Sequence, residues 1–277
     1  MKQLNTRYNF DEDINRRAVP ALKVHPMVLG TKSEGLFAAG VADMDALQTR
    51  LDHGVFGYEA VRDGLIPALT GWLSTRHDWH IEDSSVLRAP NVLNSLAIAT
   101  SLFSERGDGV IVQPPVFFDF YDIIRENHRS VVENPLIYKD GHYEIDFDDL
   151  EQRASFSRSK ILFLCNPHNP IGRVWTKAEL LRIGEICNQH NVLVVSDEIH
   201  GDITYLDHKY IPFGTLGSDY SNNSISLISP AKSFNIASCC CSFTIIADDI
   251  KRNRFQSENS RLTVNKNNAF ANVAMEA

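Results

Sequence analysis

Three short motifs in this chain end on residues that could do chemistry together. Ser229-Pro230-Ala231-Lys232-Ser233-Phe234-Asn235 follows the apolar run Ile225-Ser226-Leu227-Ile228 and leaves one lysine at a strand end. Upstream, Cys165-Asn166-Pro167-His168-Asn169-Pro170 and Ser196-Asp197-Glu198-Ile199-His200 also follow apolar runs. A lysine amine can form a Schiff base with an aldehyde, a carboxylate can keep a pyridine nitrogen protonated, and an amide can donate to a phenolate oxygen. Lys232, Asp197 and Asn169 supply these functions in turn, which is the set a pyridoxal cofactor requires. Each residue alone has a plainer reading. Asn-Pro dipeptides favour turns, an aspartate can cap the helix that follows it, and a lysine after a strand can be solvated.

The elements that must position these groups are legible as short β-branched runs alternating with helical patterns from about residue 84. That alternation is the mark of a mainly parallel sheet covered by helices, with ligands beyond the carboxyl ends of its strands. The runs predict strands at 109–113, 160–164, 192–195, 224–228 and 242–247. Thr176 and Glu179 form a capping box, and Leu180, Ile183 and Cys187 recur at helical spacing behind it. A second helix is expected from Asn91 to Ser104, with Leu93, Leu96, Ala97 and Thr100 facing inward. Asp140-Gly141 followed by Tyr143, Ile145 and Phe147 predicts a turn and a short edge strand. The stretch from Arg252 to Ala277 reads as a charged helix, a polar turn and a further helix.

Composition narrows the ligand. The 277 residues carry a formal charge of −8, which argues against a broad nucleic-acid footprint or an anionic membrane surface and in favour of a small molecule. The five cysteines, Cys165, Cys187 and Cys239-Cys240-Cys241, do not resemble a secreted disulfide framework and are expected as reduced thiols in the cytoplasm. The adjacent cysteines also lack the spacing of zinc pairs. His77 and His80 stand three apart, but Arg76-His77-Asp78-Trp79 reads as a helix end, and no metal site is expected. No apolar run approaches the roughly 20 residues needed to span a bilayer.

At this point the chain resembles the fold-type I pyridoxal-phosphate enzymes of the class I/II aminotransferase superfamily, and within it the cystathionine beta-lyases, or C-S lyases, of the MalY/PatB type. The matching text is Val41-Ala42-Asp43-Met44-Asp45, Asp52-His53-Gly54-Val55-Phe56-Gly57-Tyr58, Gln113-Pro114-Pro115-Val116, Cys165 to Pro170 with Gly172-Arg173-Val174-Trp175, Ser196 to His200, and Lys232 to Asn235. The resemblance implies an α/β fold, a three-layer α/β/α large domain over 51–255. Residues 1–50 would form the N-terminal portion of a small domain and the substrate mouth, and 256–277 the start of a connection to a C-terminal small domain that this chain lacks.

Residue by residue, the resemblance implies pyridoxal 5′-phosphate held by Lys232, which also moves the substrate Cα proton, with Asp197 on the pyridine nitrogen and Asn169 on the phenolic oxygen. Phe118 would stack on the ring, with Phe117 as an alternative. Val92 and Leu93, in the turn Ala89-Pro90-Asn91-Val92-Leu93, would offer backbone N–H groups to the phosphate at a helix start. Ser229 would add a hydroxyl to it, and His200 would lie near the cofactor. Tyr58 would reach the phosphate of a neighbouring subunit, which implies a homodimer.

The chain departs from the family pattern at four places. Asn91 replaces a glycine, Ala231 replaces a serine, Cys239-Cys240-Cys241 replaces a mixed stretch, and about ten residues are missing after Asp45. The expected activity is β-elimination from cystathionine or a similar cysteine S-conjugate to thiol, pyruvate and ammonia. The alternatives are an aminotransferase of the same superfamily, or a non-catalytic member that acts through protein contacts.

Overall fold

Continuous apolar runs need both faces covered, and the chain covers them with helices of matching apolar stripes. The computed structural model describes residues 45–57, 64–205, 207–266 and 268–277. Tyr58 and the matching text at 41–44 lie outside the described residues.

In chain order, helices α1 (Asp45–His53) and α2 (Leu65–His77) precede strand β1 (Val86–Ala89), helix α3 (Val92–Phe103), β2 (Gly109–Val112) and α4 (Asp119–Glu126). Then come β3 (Ser130–Glu133), β4 (Ile137–Lys139), β5 (His142–Glu144), α5 (Phe147–Ala154), β6 (Ser159–Cys165), α6 (Lys177–Gln189) and β7 (Leu193–Asp197). The short α7 (Ser218–Ser221), β8 (Ser224–Ile228), β9 (Ser242–Ile245), α8 (Asp249–Arg261) and α9 (Ala269–Glu276) complete the order.

Seven strands form one sheet in the order β1-β9-β8-β7-β6-β2-β3. From β8 to β3 every neighbour is parallel, and β9 runs antiparallel to both β8 and β1. Because side chains alternate across a strand, Ile161, Phe163, Cys165, Leu193, Val195, Ile225 and Leu227 meet α3, α4 and α8 on one face. Ile111, Leu162, Leu164 and Val194 meet α5 and α6 on the other. The result is the three-layer α/β/α arrangement, and all five strands expected from the sequence are present.

The capping box of α6 forms as expected: Thr176 Oγ1 accepts from Glu179 N–H, and Glu179 Oε2 accepts from Thr176 N–H at 2.7 Å. Helix α2 ends at His77, and Asp78 takes the left-handed C-cap position at φ 53°. One expectation needs correction. The inward face of α3 is rotated: Val92, Ser95, Leu96, Ile98, Ala99 and Thr100 are buried, whereas Leu93 and Ala97 are only half-buried. The short edge strand expected after Asp140-Gly141 is present as β5, which pairs with β4 in a separate two-stranded hairpin. Asp140 and Gly141 both have positive φ (49° and 87°), the geometry a tight two-residue hairpin turn requires. Ile145 then enters the core and Phe147 starts α5. Among the described residues no helix is long and apolar enough to cross a membrane.

Candidate active site

The parallel register sets Cys165 beside Asp197 and Asp197 beside Leu227, so the ends of β6, β7 and β8 form one edge. Asn166 N–H donates to Asp197 O, and Glu198 N–H to Leu227 O, each at 2.9 Å. Those two bonds carry the pairing one residue past the strands and fix where the three loops begin.

Asp197 is 4 % exposed, on the same sheet face as α3. Burial pushes its carboxyl up to about 6, opposed by the Ile199 N–H on Oδ1 and by the charge of Lys232. Oδ2 has no protein donor among the described residues. Lys232 is exposed and makes no hydrogen bond or ion pair among the described residues, yet its charge reaches Asp197 and His200, whose imidazole burial holds below its usual range. The amide side chain of Asn169 is half-buried and also lacks a partner among the described residues. Its backbone N–H is held by Cys165 Sγ at 3.3 Å, beneath a loop with cis bonds before Pro167 and Pro170. His168, 1 % exposed, props this loop by pairing Nε2 with Pro115 O at 3.0 Å, and burial lowers its imidazole to about 4, so it is neutral near pH 7.

The start of α3 lies at the same edge, following β1. Asn91 has an extended backbone (φ −164°) and caps the helix by accepting Asn94 N–H on its side chain at 2.8 Å. No positive φ is needed, so the glycine-to-asparagine departure costs no backbone strain. The N–H groups of Val92 and Leu93 have no acceptor among the described residues and remain available to an anion. The neighbouring Asn94 Oδ1 is buried without a partner.

Phe118 is 69 % exposed at the start of α4, whereas Phe117 packs into the core and meets Phe120 edge-on at 6.0 Å. The Phe118 ring lies tilted against Phe117 at 5.1 Å and is otherwise open to solvent. Ser229 is engaged within its own turn: its hydroxyl donates to Cys241 O at 2.5 Å and its oxygen accepts Ala231 N–H at 3.1 Å.

Two carboxylates, the buried Glu198 and the half-buried Asp202, carried no expected role. Glu198 accepts from Ser196 Oγ, Tyr210 Oη and Phe213 N–H at 2.8, 2.6 and 2.9 Å, and burial pushes it up to about 7. Asp202 accepts from Trp72, His77 and Ser233; burial would raise its carboxyl, but these bonds outweigh burial and hold it below its usual range. The only sequence signal for either was proximity to Asp197.

The layered sheet and this edge define a protein with the fold of the pyridoxal-phosphate-dependent transferases. The chain belongs to the aminotransferase class I and II family, whose model matches residues 60–274. It is 44 % identical to cystathionine beta-lyase PatB of Bacillus subtilis over 87 % of this chain and 62 % of that protein. It is 34 % identical to protein MalY of Escherichia coli over 82 % of this chain and 58 % of that one. The chain thus spans about three-fifths of the length of these curated relatives. Among solved structures, cystalysin from Treponema denticola, which contains a pyridoxal 5′-phosphate cofactor, superposes with a TM-score of 0.87 at 29 % identity, covering 98 % of this chain and 73 % of cystalysin.

Proposed function

We propose that this chain carries the cofactor half of a pyridoxal-phosphate-dependent C-S β-lyase that cleaves cystathionine or related cysteine S-conjugates to thiol, pyruvate and ammonia. The observation that carries the reading is that Lys232, the buried Asp197 Oδ2 and the Asn169 amide, none with a hydrogen-bond partner among the described residues, stand on one sheet edge. Similarity to PatB and to cystalysin supports the same reading.

The residues fit the cofactor. When bound, it supplies an aldehyde for covalent attachment of amines and a protonated ring that accepts electrons from the substrate Cα. Lys232 would anchor the aldehyde and, once its amine is released, take the Cα proton. Asp197 would hold the ring nitrogen, and a cation opposite its carboxylate would offset the desolvation that raises its pKa. Asn169 would donate to the phenolic oxygen and Phe118 would cover the ring. Val92 and Leu93 would give two backbone N–H groups to the phosphate, reinforced by the dipole of α3.

A homodimer in the cytoplasm, with Tyr58 completing the neighbour's site, belongs to this proposal, as do the domain limits at residues 50 and 255. Leu51, Val55 and Phe56, each at least half exposed, lie beside that tyrosine in sequence and support an interface there. The test is to add pyridoxal phosphate, reduce with borohydride and locate the adduct. The adduct should sit on Lys232 and vanish in Lys232→Ala. Absence of any adduct in the wild-type chain would sink the proposal. Pyruvate with free thiol and ammonia marks the lyase; conversion of bound cofactor to pyridoxamine phosphate marks a transferase.

A further inference from the structure

The turn that carries Lys232 is hydrogen-bonded to a distant helix by way of one carboxylate. Asp202 Oδ2 accepts from Ser233 Oγ at 3.0 Å, and Ser233 is the residue after the lysine. Asp202 Oδ1 accepts from Trp72 Nε1 at 3.0 Å and pairs with His77 Nε2 at 2.7 Å, both on α2. The next residue in the turn, Phe234, meets the Trp72 ring edge-on at 5.5 Å. Asp202 is itself fixed by position. It follows Gly201, where a Cβ would lie 2.8 Å from the Tyr210 ring, so that segment packs directly on the ring. His77 meets the same Tyr210 edge-on at 4.9 Å.

We propose that Asp202 is a positioning residue for Lys232, acting through Ser233 to hold the lysine turn against α2. This rests on the reading of Lys232 as the covalent anchor. A lysine side chain has many rotamers to lose, so an amine that must meet one aldehyde benefits from a fixed Cα. Backbone bonds inside the turn, Phe234 N–H to Pro230 O at 2.9 Å and Ile236 N–H to Ala231 O at 3.1 Å, shape it but connect it to nothing outside. The Ser233–Asp202 bond connects it to α2, and being charge-assisted it is of the stronger kind.

The test uses amide hydrogen exchange at Phe234 and Ile236 in the cofactor-free chain, together with the rate of borohydride-trapped capture of pyridoxal phosphate by Lys232. Ser233→Ala and Asp202→Asn should each speed exchange about tenfold, the factor that ~1.4 kcal/mol represents, and slow capture by a similar factor. The double variant should be no worse than either single one, because both remove the same tether. Ser233→Ala is a mild surface-side change and should leave the thermal midpoint in place. Wild-type exchange in Ser233→Ala, or additive effects in the double variant, would overturn the inference whatever capture shows. A wild-type chain that captures no cofactor would instead overturn the proposed function.

Discussion

Tyr210 donates its hydroxyl to the buried carboxylate of Glu198 at 2.6 Å, and burial and that carboxylate together raise the phenol's own pKa. Glu198 follows Asp197 directly in the chain, so the pair fixes the loop that leaves β7. Tyr210→Phe leaves Glu198 Oε2 without its donor in a dry site. Chemical unfolding should show a loss of about 1–3 kcal/mol, the cost of an unsatisfied buried acceptor.

The pH dependence of Glu198 has a definite sign. Its carboxyl rises from 4.5 to about 7 on folding, so between those values the folded chain holds more protons than the unfolded one, and stability falls as pH rises. Glu198→Gln removes that slope. Its stability relative to the wild type should improve steadily from pH 4.5 to 7 in denaturant melts, and a flat difference would refute the assignment.

Asn91 acts as an N-cap with extended backbone. Asn91→Ala should cost about 1 kcal/mol and Asn91→Gly only a few tenths. Thermal melts of the two variants decide the matter; a stabilising glycine would mean that the position favours positive φ after all.

Ser229 bridges the Cys241 carbonyl and the Ala231 amide. Ser229→Ala should therefore lower unfolding stability by about 1–2 kcal/mol, and a parallel loss of pyridoxal-phosphate affinity would show that the hydroxyl also serves the phosphate. Titration of the variant with cofactor and a parallel urea melt separate the two roles.

Asp197→Asn keeps the shape and removes the charge. Pyruvate release should fall by about 10²-fold or more, within the range for loss of a positioned acid–base group, while Lys232 still forms a reducible adduct. Equal activity in the two forms would remove Asp197 from the chemistry.

The strands were legible because Ile161 to Cys165 and Leu193 to Val195 are buried on both faces and so read as unbroken apolar runs. The three residues proposed to hold the cofactor stood out in the sequence for the same reason, since a lysine, an aspartate or an Asn-Pro at such a run's end has no packing role. Tyr143, Ile145 and Phe147 alternate like one strand but span a strand, a linker and a helix start, and period alone does not separate these. Asp202 was invisible because its partners lie 130, 125 and 31 residues away. The Ser229 bond was not legible, because a hydroxyl near a lysine looks the same in sequence whether or not its proton is directed to a carbonyl, as this one is to Cys241 O.

The single reversed strand also works as a spacer. Because β9 lies between β1 and β8, and both of those run the same way, the open N–H groups of α3 and the carboxylate at the end of β7 emerge on one rim. Three inter-strand steps separate β1 from β7, or about 14 Å across the sheet at ~4.8 Å each. The spacing between the backbone donors of α3 and the carboxylate of β7 is therefore set by strand order, not by any side chain.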